Sequence, residues 1–234
     1  MSIPKENVRV LETAPQNLES DAPVPVARSP LAPAGAPVVI DGWEYSDGAS
    51  SGPLLVSDRS ALAKVHVRVD GSPSVIAAMG TRFGRAAWVG DRLVVGSGPD
   101  EWLVLGAPGR ATVVAEECTR DLRAAHPGRI TVIDVTHGRA LMRVSGPRTL
   151  ALLRRVTAVD LDDRLVPDGS ALRTSVARVV TDVIRDDQDG SPSYLLHCER
   201  SSGRYLQQSL LAAGTDLGGV AGGSRPAWPD HPHA

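Results

Sequence analysis

The chain has 234 residues, of which 42% are hydrophobic and 22% are charged, and its formal net charge at pH 7 is -2. This length and composition suffice for one globular unit, or for two small units packed closely together. The near-neutral charge argues against nucleic acid and anionic membranes as partners, because both recognise clustered positive charge.

The N-terminal residues 1–37 form the first predicted segment. They are polar at first and then rich in proline, as in DAPVPVARSPLAPAGAP, with no helical or strand period that could bury one face. Such a segment buries too little apolar surface to offset the entropy lost on ordering. We therefore predict an extended Pro-rich arm, whose ARSPLA part (27–32) orders on a partner.

Several features of the sequence favour a cytoplasmic protein. The N-terminal residues lack the apolar core of a signal peptide, and no stretch is apolar enough to span a membrane. The two cysteines, Cys118 and Cys198, lie far apart and form no C-x-x-C motif. We expect buried thiols there, and neither a redox pair nor a zinc site.

An internal repeat organises the chain after the arm. VSDRSALAKVHVRVDG (56–71) and IDVTHGRALMRVSG (133–146) each contain an aspartate, then a Ser or Thr, then an alternating strand that ends in x-Arg-Val-x-Gly. After each copy the pattern predicts a short helix, two strands joined by a turn, and a longer amphipathic helix. In the first of these longer helices, Val114, Cys118 and Leu122 share one face.

The repeat predicts two β-α-β-β-α units, at about 54–126 and 130–214, in a domain that spans 38–218 and is followed by a flexible tail over 219–234. Strands with one apolar and one polar face pack as mainly antiparallel sheets whose apolar faces are covered by helices. The predicted fold class is therefore α+β, with helices on the outer faces and a pseudo-two-fold axis between the units.

The stretch VIDVTHGR places Asp134, Thr136 and His137 together, the residue types of an acid-base site. Asp58 holds the equivalent place in the first copy, so one structural role fits both aspartates: a turn in which the carboxylate accepts backbone N–H bonds. His137 has no counterpart there, and the sequence has neither a G-x-S-x-G elbow nor a reactive cysteine as nucleophile. We expect this strand entry to be structural, and we assign no catalytic residue.

Other candidate sites also favour structural roles. We expect a solvated His66, on the polar side of its strand, and a His197 that points outward or is satisfied by a neighbour. The acidic runs at 160–163 and 186–190 lack the glutamate of an EF-hand and are predicted to be solvated loops. Gly-Ser-Gly at 96–98 leads into a strand, not into the helix that a phosphate site requires. The sequence therefore predicts no metal and no cofactor site in this chain.

Five stretches of the sequence, taken together in their order and spacing, resemble the gamma subunit of heterotetrameric sarcosine oxidase. That family is related to the folate-binding aminomethyltransferases of glycine cleavage. The stretches are ARSPLA (27–32), GPDEWLVL (98–105), VIDVTHGRALMRVSGP (132–147), VDLDDRLVPDG (159–169) and ERSSGRYLQQSLLAAGTDLG (199–218).

The resemblance implies a non-catalytic accessory subunit of an oxidoreductase that acts on CH–NH donors with oxygen as acceptor. Such a complex demethylates sarcosine to glycine and releases hydrogen peroxide and a one-carbon unit, as formaldehyde or methylenetetrahydrofolate. The implied partners are the alpha, beta and delta subunits of a heterotetramer. FAD, FMN, NAD and tetrahydrofolate would belong to those partners, and this chain would hold no cofactor.

Two alternatives remain open: a stand-alone, tetrahydrofolate-dependent one-carbon enzyme that binds folate between the repeats, and a regulatory or scaffold module that reuses the fold. In the aminomethyltransferases, a strand that resembles N-x-x-G-G-I-x-D-D supplies the carboxylate at the folate. The corresponding stretch, ALRTSVARVVTDVIR (171–185), has no Gly-Gly and a single acid, Asp182. This departure argues against folate chemistry.

Overall fold

A computed structural model of the chain describes residues 25–224 and Trp228. The described residues form thirteen β-strands: β1 (Pro37–Ile40), β2 (Trp43–Ser46), β3 (Leu54–Asp58), β4 (Ala63–Arg68), β5 (Ala86–Val89), β6 (Arg92–Gly98), β7 (Glu101–Gly106), β8 (Thr131–Asp134), β9 (Arg139–Ser145), β10 (Ala171–Val176), β11 (Val179–Arg185), β12 (Tyr194–Glu199) and β13 (Gly219–Gly222). They also form four α-helices: α1 (Pro73–Met79), α2 (Ala111–Ala125), α3 (Thr149–Val156) and α4 (Gly203–Ala213).

Most strands belong to two sheets. The first sheet has the order β5-β6-β7-β4-β8, and the second has the order β10-β11-β12-β9-β3-β13. Neighbouring strands in both sheets are antiparallel, except that β13 runs parallel to β3. The predicted α+β fold with mainly antiparallel sheets is confirmed. Within the described residues, no helix is long and apolar enough to cross a membrane.

The first strand of each half of the chain belongs to the sheet formed by the other half. The strand β3 pairs with β9 and aligns Asp58 with Met142, while β8 pairs with β4 and aligns Asp134 with Val65. The first five strands therefore have the same order in both sheets, which gives the predicted pseudo-two-fold relation.

The same two alignments correct the register of the sequence repeat. They make Met142 the counterpart of Val65, so Arg143 corresponds to His66 and not, as the Arg-Val motif indicates, to Arg68. The second copy has one more residue between its aspartate and its strand, where Thr136–Gly138 forms a short 3-10 turn.

The sheets stack face to face and the helices cover their outer faces, as predicted. Alternation places Val65, Val67 and Val104 under α1 and α2, where they pack with the buried side chains of those helices. The opposite alternation fills the layer between the sheets with leucines such as Leu103 and Leu195. Polar side chains on this inner face, such as those of Asp182 and His197, are therefore buried against the other sheet.

Two terminal segments differ from their predictions. Residues 27–32, expected to order on a partner, lie on α4 of this chain: Leu31 is buried, and the side chain of Gln207 bonds to both N and O of Ala32. Gly219–Gly222, predicted as the start of the tail, pairs with β3. The indole of Trp228 donates to the carbonyl of Asp91 at 2.7 Å.

Residues 1–24, which make up most of the predicted arm, lie outside the described residues, as do 225–227 and 229–234 of the predicted tail. The predictions for these residues stay predictions.

Candidate functional site

The candidate site lies on the inner face of the second sheet, where three strands place polar side chains in one row. Strand pairing aligns Arg173 on β10 with Asp182 on β11, and Asp182 with His197 on β12. One carboxylate oxygen of Asp182 lies 2.8 Å from Nδ1 of His197. The other accepts a hydrogen bond from Nε of Arg173 at 2.6 Å. Both oxygens of the carboxylate therefore have a partner within the chain.

The charges of this row follow from burial and hydrogen bonding. Burial would raise the pKa of Asp182, but the hydrogen bonds from His197 and Arg173 outweigh it and hold that pKa below its ordinary value. Burial lowers the pKa of His197, against the opposing effect of the Asp182 carboxylate. At neutral pH the site therefore contains an ionised Asp182 and a neutral His197, which donates from Nδ1 to the carboxylate.

A small cavity adjoins this row between the two sheets. Its volume is about 30 Å³, enough for one or two water molecules and far below the roughly 300–1,000 Å³ of a ligand pocket. Nε2 of His197 and Oγ of Ser97 are buried without a hydrogen-bond partner among the described residues, and both residues line the cavity. The other lining residues are His66, Leu103, Val135, Arg139, Arg173 and Asp182.

The structure tests both histidine predictions in this region. His197 is satisfied by a neighbour, Asp182, which confirms one of the two outcomes expected for it. His66, which was predicted to be solvated, is so only in part: its side chain is 35% exposed, but it lines the inner cavity and burial lowers its pKa. The polar side of its strand faces the second sheet, a partner that alternation cannot reveal.

The two strand entries have the predicted structural geometry. Oδ1 of Asp58 accepts the backbone N–H of Ser60, and Oδ1 of Asp134 accepts that of Thr136, each at 2.8 Å. The hydroxyl of Thr136 in turn accepts the backbone N–H of Lys64 at 3.0 Å. The hydroxyl of Ser60 lies 3.2 Å from both N and O of Leu141 on β9, so each turn ties one repeat to a strand of the other.

Removing one of these turn carboxylates should destabilise the fold by an amount that follows its burial. We expect Asp134→Ala to lower the free energy of unfolding by about 1 kcal/mol. Because Asp58 is buried, we expect Asp58→Ala to lower it by up to about 3 kcal/mol. Urea denaturation of both variants checks this. The Asn variants keep an acceptor oxygen and should lie closer to the wild type, and equal losses for Ala and Asn would contradict the capping role.

Lys64 is a buried residue that the sequence analysis did not single out. Its side chain lies between the two turns, where Nζ donates to the carbonyl oxygens of Ser60 and Leu62 at 2.6 and 2.9 Å. Burial lowers its pKa to about 7, although Asp58 and Asp134 oppose the shift. In the sequence, Lys64 lies on the polar side of β4, which gives no sign of burial. In the structure, both sides of the strand are buried at this position.

The prediction of solvated loops holds for Asp163 of 160–163, whose side chain is 70% exposed, and is wrong for Asp186 and Asp187 of 186–190, whose side chains are 7% and 19% exposed. The buried guanidinium of Arg143 donates to Oδ2 of Asp186 at 2.6 Å. The buried guanidinium of Arg185 bonds to both carboxylate oxygens of Asp187 and to Asp163. These loops supply the negative charge that two buried arginines require.

A cleft on the surface lies beside the second strand entry. It encloses about 650 Å³ between the β1–β2 hairpin, the start of α2 and the turn that follows β8. The ring of His137 stacks on Trp43 with 5.1 Å between centroids. Asp41 and Asp134 provide carboxylates at the cleft, and no Lys or Arg among the described residues lines it. This cleft has the volume of a ligand site, whereas the inner cavity does not.

The described residues contain no group of three or more His, Cys, Asp or Glu arranged to hold a metal ion. Both cysteines are buried, as predicted, and burial raises the pKa of each thiol. Neither is therefore activated as a nucleophile.

Comparison with known proteins supports the fold and gives a family. The model of the GCVT N-terminal domain matches residues 81–226. A chain of the heterotetrameric sarcosine oxidase from Corynebacterium sp. U-96, solved with pyrrole 2-carboxylate, matches with a TM-score of 0.60 and 19% identity, covering 71% of this chain and 87% of that one. The glycine cleavage aminomethyltransferase T from Bartonella henselae matches with a TM-score of 0.63 and 12% identity, covering 81% of this chain.

The chain spans 56% of the length of that aminomethyltransferase. No curated protein sequence matches the chain. At these identities the structural matches establish the fold. The family match extends over more than half of the residues, and the chain therefore belongs to the GCVT N-terminal domain family.

Proposed function

We propose that this chain is a non-catalytic accessory subunit, of the gamma type, in a heterotetrameric oxidase of the sarcosine oxidase kind. The closed site between the sheets carries the proposal. Asp182, the one acid of the stretch that corresponds to the folate strand of the aminomethyltransferases, has both oxygens bonded to Arg173 and His197. The adjoining cavity of about 30 Å³ is far too small for a pterin ring.

The extent of the match to the sarcosine oxidase chain also supports the proposal that this chain is a subunit. It covers 87% of the sarcosine oxidase chain, so its fold corresponds to nearly all of one chain in that assembly. We propose that its partners are alpha, beta and delta subunits that hold FAD, FMN, NAD and tetrahydrofolate. The assembled complex would oxidise sarcosine to glycine with oxygen and release hydrogen peroxide and a one-carbon unit.

Co-expression with the alpha, beta and delta subunits of the same host tests assembly and activity together. We expect a complex of defined stoichiometry that contains this chain and oxidises sarcosine. The isolated chain should be colourless, inactive and unable to bind tetrahydrofolate in calorimetry. Saturable binding of tetrahydrofolate to the isolated chain would instead support the one-carbon enzyme.

The variant Asp182→Asn separates a structural from a catalytic carboxylate. We expect it to reduce stability, because it weakens the bonds to Arg173 and His197, while turnover per assembled complex stays within about twofold of the wild type. A general acid or base contributes about 100-fold or more. A loss of that size in complexes that assemble normally would contradict the proposal. His197→Gln is the matched control on the other side of the same hydrogen bond.

A further inference from the structure

The two sheets have five strands in the same order, but only the second is completed by a sixth. In the second sheet, β13 runs parallel to β3 along its outer edge. The equivalent edge of the first sheet belongs to β8, and among the described residues no strand pairs with it. The pseudo-two-fold relation therefore identifies a strand position that the described chain leaves open.

A groove lies at this open position. It runs between α2 and β8 and has a volume of about 490 Å³. In the other half, α4 contacts β13, and α4 is the counterpart of α2. The groove thus corresponds to the place where β13 packs beneath its helix. Its lining residues are Thr112, Ala115, Glu116, Thr119, Arg120, Val132 and Asp134.

The backbone of β8 has groups that can bind a strand there. The N–H of Val135 donates to the carbonyl of Lys64 at 2.8 Å. In an antiparallel pair such bonds alternate, so the N–H and C=O groups of Val132 and Asp134 point away from β4, toward the groove. The strand has neither a proline nor a lysine to block pairing, and Ile133 is 50% exposed. Such an edge is a template for another strand.

The carboxylates at one end of the groove indicate which type of side chain a segment bound there would carry. The Asp134 end of β8 opens into the surface cleft, which contributes the carboxylates of Asp41 and Asp134 and the rings of Trp43 and His137. A strand parallel to β8 would end at this cleft. Two carboxylates beside aromatic rings, with no Lys or Arg among the described lining residues, favour a cationic side chain.

We propose that the free edge of β8 binds an extended segment of a partner subunit as a parallel sixth strand, and that an Arg or Lys following this strand enters the cleft between Asp41 and Asp134. The proposal rests on the proposed function, because it assigns one contact of the same assembly. Main-chain hydrogen bonds to Val132 and Asp134 provide affinity, and the cleft selects the basic residue.

Two variants at one position provide the test. Val132→Pro removes an N–H that faces the groove, whereas Val132→Ala keeps that N–H and removes most of the side chain. In assembly with the alpha, beta and delta subunits, we expect Val132→Pro to raise the dissociation constant about 10-fold or more, and well beyond Val132→Ala. Asp41→Asn should also weaken assembly, and less so as salt concentration rises. Equal dissociation constants for the two Val132 variants would overturn the inference.

Amide exchange of the wild-type chain gives a second measurement that needs no variant. We expect the amides of Val132 and Asp134 to exchange rapidly in the isolated chain and slowly in the complex. Slow exchange already in the isolated chain would mean that this chain covers its own edge, and would overturn the inference while leaving the proposed function standing. If the wild-type chain forms no complex with these subunits, both fail.

Discussion

Replacing Arg143 with alanine is expected to lower the free energy of unfolding by about 3–5 kcal/mol, the range for breaking a buried ion pair from one side. Arg143 is 1% exposed and donates to the carboxylate and the carbonyl of Asp186 and to the hydroxyl of Ser193. Without the guanidinium, the Asp186 carboxylate stays buried and keeps the indole N–H of Trp88 as a donor. A neutral donor cannot offset the desolvation of a full charge.

Urea denaturation measures the effect, and Arg139→Ala is the matched control on the same strand. Arg139 pairs with Glu199, whose side chain is 63% exposed, so its loss should cost less than about 1 kcal/mol. Similar losses for the two arginine variants would mean that burial of the Arg143 pair does not determine its contribution.

The second large effect concerns the pH dependence of stability through Lys64. Its pKa is about 7 in the folded chain and 10.5 as the ordinary value of an exposed lysine. Between these values the unfolded chain binds a proton that the folded chain lacks, so the free energy of unfolding rises with pH. The limiting slope is about 1.4 kcal/mol per pH unit, which gives about 2–3 kcal/mol between pH 7 and 9.

Above pH 9 the buried cysteines act in the opposite direction. Burial raises the pKa of Cys198 to about 11 from an ordinary value of 9.0, so the unfolded chain loses that proton first and stability falls. The informative window is therefore pH 7 to 9. We expect Lys64→Met to flatten the pH dependence there in urea denaturation series, while Arg68→Met, an exposed change on the same strand, keeps it. A wild-type curve as flat as that of Lys64→Met would show that Lys64 stays charged when folded.

Local sequence patterns predicted those elements whose periodicity has one interpretation. The helix α2 was predicted because Val114, Cys118 and Leu122 recur on one face, and these three residues are its buried positions. The turns at Asp58 and Asp134 were predicted because the same residue types occur at equivalent places in both copies. The fold class followed from the repeat, since each unit has an apolar strand face that requires a helix.

Pairing between distant strands could not be predicted, because alternation gives the faces of a strand but not its neighbours. The exchange of β3 and β8 between the halves depends on such pairings. The sequence pattern also does not predict the hairpin of β10 and β11. Its turn places Ala177 and Arg178 at φ values of 45° and 70°, where Asn-Gly or Asp-Gly would be the usual signal.

The candidate site was hidden for a related reason. Polar alternation at His66, Asp182 and His197 is what a solvated strand face would also show, and only the presence of the opposite sheet places these side chains at the inner cavity. The resemblance identifies Asp182 as the one acid of the corresponding strand. Its bonds to Arg173 and His197, however, depend on the register of three strands.

The exchange of first strands has a consequence for the history and the integrity of the chain. Neither repeat supplies all the strands of one sheet. The strand β3 of the first repeat belongs to the second sheet, and β8 of the second repeat belongs to the first. A polypeptide with a single repeat could complete such a sheet only by exchanging its first strand with an identical copy, as domain-swapped dimers do. The geometry is that of such a swapped pair made permanent by one covalent connection between α2 and β8. Cutting that connection would leave two interlocked fragments, each dependent on the other, and not two independent domains.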